Sequence, residues 1–170
     1  LFLFIMLSVR KYQIIFNLLS DAFLKISLGI VFFNYGFGKL NNLLSGNAEG
    51  LVNMVTTIPF FGNFPFFFSW ILAISETGIL IMLLYGLFNF LPLTNVITKI
   101  AGVISFIISL VIMYQHIYAW GDNIFSYGPF DFLNVNEGKK SVFGQFLFLP
   151  ISVYIIFSSR SNFNIINETK

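Results

Sequence analysis

Few residues in this chain can do chemistry, and the most conspicuous stands alone. Glu76 lies midway through the apolar run from Trp70 to Leu80, and no other charged residue occurs between Glu49 and Lys99. An acidic side chain at the centre of a helix in lipid costs roughly 2.5–3.5 kcal/mol, so it must face other helices, be paired, or be protonated. Two readings follow. Glu76 either handles protons or a ligand, or it makes a structural salt bridge or interhelical hydrogen bond that fixes packing.

Partners can be sought on the flanking helical segments. Lys25, Gly29, Gly36 and Lys39 recur in steps of four, seven and three, which places them on one helix face. The two glycines would let a neighbouring helix approach closely. Lys39 then points inward, at a depth about 9 Å outward of mid-membrane by helical rise. Its long stem can cover part of that gap to Glu76, or it can snorkel to the outer interface. Gly102, Ser105, Ser109 and His116 form a second stripe of small and polar residues. His116, with Gln115 and Tyr114 beside it, reaches the level expected of Lys39. Together with Tyr35 these residues could line a polar pocket open to a quinone headgroup or a small polar ligand. The plainer reading of His116 is a local hydrogen-bonding residue at an interface. The candidate polar site is therefore Glu76, Lys39, His116 and Tyr35. Gly36 and Gly38 do not form a nucleotide loop, since no Gly-rich strand-to-helix context surrounds them.

Several chemistries are excluded outright. The chain has no cysteine, which removes thiol nucleophiles, iron–sulfur ligation and covalent haem attachment. Its one histidine cannot supply both axial ligands of a bis-histidine haem or build a conventional zinc site. No metal site and no covalently bound cofactor are expected. Any redox role must use a diffusible carrier or a partner's cofactor. The net charge is +2 with scattered Lys and Arg, so there is no basic patch for nucleic acid.

The elements that must position these residues are membrane helices. Charged residues make up 9% of the chain, against about a quarter in an average soluble domain. Hydrophobic residues fall in long blocks, giving spans at about Ala22 to Leu40, Phe66 to Phe88, Val96 to Trp120 and Val142 to Phe157. About 20 apolar residues rising ~1.5 Å each match a hydrocarbon layer of ~30 Å. Pro150 should kink the fourth span, and Pro92 should open the third helix. Between the first two spans, Leu51, Met54, Val55 and Ile58 recur at helical spacing with Glu49 near the start, which predicts a short helix lying in the interface. Residues 1–20 read as an interfacial amphipathic lead-in, because the apolar run Leu1 to Leu7 precedes Arg10 and Lys11, the reverse of a signal peptide. Residues 21–158 form the transmembrane domain and residues 159–170 a polar tail. Gly121 to Lys140 mixes charges with aromatics as a folded cap, while Trp70, Trp120, Tyr118 and the Phe-rich stretch from Pro59 to Phe68 serve as interface anchors. The expected fold is all-α, an integral membrane four-helix bundle with a short interfacial helix between spans one and two.

Arg10, Lys11, Lys25, Lys99, Arg160 and Lys170 outnumber Lys39, Lys139 and Lys140, which puts both termini in the cytoplasm. Heavy use of Phe, Ile and Asn fits an AT-rich genome. The membrane would be a bacterial inner membrane or an organellar inner membrane.

Leu28-Gly29, the run Gly36-Phe37-Gly38-Lys39-Leu40, Ile58-Pro59, Ser75-Glu76-Thr77-Gly78, Leu84-Tyr85-Gly86-Leu87 and His116 ahead of Gly121 together resemble the DoxX family of small membrane proteins. The resemblance covers residues 22 to 121. It implies a four-helix membrane bundle that is an oxidoreductase or the membrane partner of one, as the family is named by similarity to a small subunit of a thiosulfate:quinone oxidoreductase. Lys39 and Glu76 match the family's charged motif positions. Lys25 stands where the family usually has arginine, and its terminal Gly-rich Ser-x-Asp signature does not follow Phe157. The implied function is a membrane subunit of a quinone-linked oxidoreductase, with quinone as its noncovalent cofactor and other membrane or peripheral oxidoreductase subunits as partners. The alternative is a noncatalytic structural or assembly subunit of a larger, respiratory-type membrane complex. Whether the chain is itself an enzyme is left open. A solute or proton pathway has less support, since no pair of broken helices is visible.

Overall fold

A computed structural model describes residues 2–88, 90–119 and 142–158. Its helices are α1 (Phe2–Leu44), α2 (Glu49–Thr56), α3 (Pro65–Tyr85), α4 (Thr94–Tyr114) and α5 (Val142–Ser158). A 3-10 turn, Phe61–Asn63, precedes α3, and a π-helical turn, Gln115–Ala119, prolongs α4. No strand occurs among the described residues.

Three stretches, Tyr12–Leu44, Pro65–Tyr85 and Thr94–Ala119, are long and apolar enough to cross a membrane. Phe23, Ile30, Ile74, Ile81, Val103 and Ile107 are exposed on their outer faces. Such surfaces suit acyl chains rather than water, and helices satisfy their own backbone hydrogen bonds in that solvent. These features match an integral membrane protein.

The boundaries have local causes. Gly46, at φ +81°, turns the chain after α1, a conformation that a residue without Cβ adopts cheaply. Pro65 occupies the first turn of α3, where its missing N–H leaves no bond unmade. Pro92 does not open the third helix as expected. Leu93 adopts a left-handed conformation and caps α4 at Thr94, while the Pro92 carbonyl accepts a 2.9 Å hydrogen bond from the Tyr85 hydroxyl. Helix α5 runs through Pro150, and its 17 residues rise only about 25 Å. Helix α1 is continuous across residue 20, so the expected lead-in and the first span form one rod. The expected cap at Gly121 to Lys140, Trp120 and the tail at 159–170 lie outside the described residues.

Packing is antiparallel along the chain. Gly36 of α1 lies against Glu76 and Thr77 of α3, and Gly29 lies against Leu80. Gly102 of α4 lies against Ile155 and Ile156 of α5. The rings of Phe32 and Phe148 bring α1 to α5, with centroids 5.8 Å apart. One core draws on all four long helices, through Leu28, Phe32, Ile79, Leu83, Ile108 and Ile155. Helix α2 folds back on the ends of α1 and α3, where Leu51 and Val55 pack with Leu43 and Ala73.

Candidate functional site

The site begins where α1 crosses α3. Built onto Gly36, a Cβ would stand 2.5 Å from the Thr77 nitrogen and 2.6 Å from the Glu76 Cβ. Only a residue without a side chain permits this approach. Lys39, one turn further along the same face, then reaches across. Its Nζ donates to both Glu76 carboxylate oxygens, each at 2.6 Å. Glu76 is wholly inaccessible, whereas 21% of the Lys39 side chain remains accessible. The alternative of a snorkelling lysine is therefore not what the structure shows, because the helix contact at Gly36 removes the expected depth gap.

A carboxylate and an ammonium so joined form a neutral unit. Taking either charge alone out of water would cost several kcal/mol, and the pairing offsets that cost. Both carboxylate oxygens are satisfied by one partner from another helix. The arrangement can lock α1 to α3.

Tyr35 is one turn before Lys39 on α1 and is 38% exposed. His116 is almost fully buried on the π-helical turn that ends α4. Such turns re-aim side chains and recur at functional positions. Gln115, beside it, is also buried. Its amide nitrogen donates to the Thr57 hydroxyl, and at 3.4 Å to the Met54 carbonyl. The Thr57 proton goes to the Met54 carbonyl at 2.7 Å, so Gln115 must be the donor to Thr57. Gln115 thus ties the end of α4 to the segment just after α2. Its Oε1 is buried without a hydrogen-bond partner.

The expected stripe of Gly102, Ser105, Ser109 and His116 does face inward, with all four buried, and Thr98 is buried on the same helix. Ser105 donates to the Ser152 hydroxyl of α5 at 2.8 Å, a contact that spacing on α4 alone did not reveal. Sequence reasoning also missed Asp21. It accepts a 2.6 Å bond from Lys25, one helical turn away, and both side chains are buried where α1 meets Tyr154 of α5. The signal was available, since an acid four residues before a lysine is a helical ion-pair spacing.

An apolar cleft of about 210 Å³ opens between α3 and α4 beneath the segment that includes Val55 and Ile58. Neither Lys39 nor Glu76 lines it, and Ser75 supplies its polar group. Among the described residues, no three of His, Asp and Glu cluster closely enough to hold a metal ion. Comparison with known proteins finds no matching family model, no matching curated protein and no matching solved structure.

Proposed function

We propose that this chain is a noncatalytic structural subunit of a larger membrane complex, with the Lys39–Glu76 pair as a brace between helices. The closed pair carries this reading: both carboxylate oxygens are held by one lysine, and Glu76 has no accessible surface. In this reading α5 is a fourth span, α2 lies in the outer interface, and the bundle sits in a bacterial inner membrane with both termini cytoplasmic. The Lys and Arg asymmetry of the sequence supports that orientation. The test is gentle detergent extraction followed by identification of copurifying chains. Glu76→Gln should lower both the yield of the assembly and its thermal stability. A native gel holding only a solitary 19.4 kDa species would count against it.

A second reading is a DoxX-like membrane subunit of a quinone-linked oxidoreductase. What favours it is that the two charged positions of the motif resemblance, 37 residues apart in the chain, meet in space. Purified protein should then retain a quinone, and Glu76→Gln should weaken retention while the bundle stays folded. Absence of quinone after extraction in native lipid would end this reading.

A further inference from the structure

We propose that the cleft between α3 and α4 seats one acyl chain of a membrane phospholipid. The cleft's floor is formed by Val55, Ile58 and Ile108, which are buried, and its mouth by Ile71 and Ile107, which are 42% and 51% exposed. Ser75 also lines it, and it immediately precedes Glu76 near the middle of α3. The mouth therefore opens at the depth of the hydrocarbon layer. It is continuous with the exposed apolar face carried by Ile74, Val103 and Leu110. The phase that touches such an opening is acyl chain.

Water is a poor occupant, since it needs two to four polar partners and this lining offers a single hydroxyl. Left empty, the lining would forfeit its dispersion contacts on one side. A chain restores them. Ser69 and Thr77 each return their hydroxyl proton to the carbonyl four residues earlier, at 2.7 Å, but Ser75 makes no such bond. It can rotate back to the Ile71 carbonyl as the chain enters, so no donor is stranded. Gln115 holds the cover of the cleft in place through Thr57 and Met54, so entry is sideways between Ile71 and Ile107. This assignment is independent of either functional reading above.

The test reconstitutes the full chain in phosphatidylcholine vesicles containing a phosphatidylcholine with a mid-chain diazirine, then maps photolabelled residues by mass spectrometry. Ile58 and Ile108 should be labelled well above Ile79 and Leu83, which are also buried but do not line this cleft. Ile107→Trp, which plugs the mouth, should reduce floor labelling about tenfold, one decade of occupancy. Labelling of Ile30 on the far lipid-facing side should not change, which also reports that the variant is folded. Ile71→Trp, plugging from the opposite wall, should act alike. Floor labelling no greater than that of Ile79 and Leu83, or indifferent to both plugs, overturns the proposal. Displacement of the label by a small mole fraction of isoprenoid quinone would overturn it too, and assign the cleft to an isoprenoid tail.

Discussion

Replacing Gly36 by alanine tests the helix crossing on which the ion pair depends. The added Cβ would sit 2.5, 2.6 and 2.8 Å from the Thr77 nitrogen, the Glu76 Cβ and the Glu76 carbonyl carbon. Two of these atoms are backbone, which has no rotamer to give. To restore ordinary contact, α1 and α3 must part by about 1 Å, a gap that already forfeits a quarter to a half of each dispersion contact across it. Overpacking of this kind costs ~1–3 kcal/mol. Gly38, two residues later on the same helix, has nothing within 4 Å of its would-be Cβ. The helix-propensity gain from glycine to alanine, about 1 kcal/mol, is common to both positions and cancels between them. Gly36→Ala should therefore be less stable than Gly38→Ala by about 1–3 kcal/mol, the steric term alone. Loss of helicity on heating or titration with denaturing detergent measures this difference, with both variants in the same micelle. Equal stability of the two variants would show that the close crossing at Gly36 is not what sets the α1–α3 distance.

Three further outcomes are expected. Lys39→Met alone leaves the Glu76 carboxylate buried without its partner and should cost ~3–5 kcal/mol, whereas the double change Lys39→Met with Glu76→Leu should recover most of that loss. Unfolding curves of both chains decide it, and a double variant no better than the single would refute the brace. Gln115→Leu removes the tie to Thr57 and Met54, so hydrogen exchange over Glu49–Thr56 should accelerate while that of α3 stays unchanged. Leu93 has φ +60° and is largely exposed, so Leu93→Gly should relieve left-handed strain and raise stability by about 1 kcal/mol, read as a higher melting temperature.

Much of the architecture was legible along the chain. The apolar blocks located α3, α4 and α5 to within a few residues, because a run of apolar residues is a local property of the chain, and α3 and α4 are long and apolar enough to cross a membrane. The short helix α2 was visible from Leu51, Met54, Val55 and Ile58 recurring at helical spacing with Glu49 at its start, since period and dipole are also local properties. The glycines at 29 and 36 marked the contact face of α1, as the structure shows against Leu80 and Glu76. A break near residue 20 was expected and is absent. The change of composition there alters what surrounds the helix but does not interrupt its hydrogen bonds.

By itself, then, the sequence determined the solvent, the helices and the inward faces, all of which follow from composition and periodicity. It left open whether Lys39 snorkels or pairs, what Gln115 bonds, and that Ser152 answers Ser105. Those were decided by the tertiary structure, because each depends on how far apart two helices lie and at what level they cross. That distance is set jointly by both surfaces, as when the bare backbone at Gly36 meets the peptide between Glu76 and Thr77. No spacing within one helix encodes it.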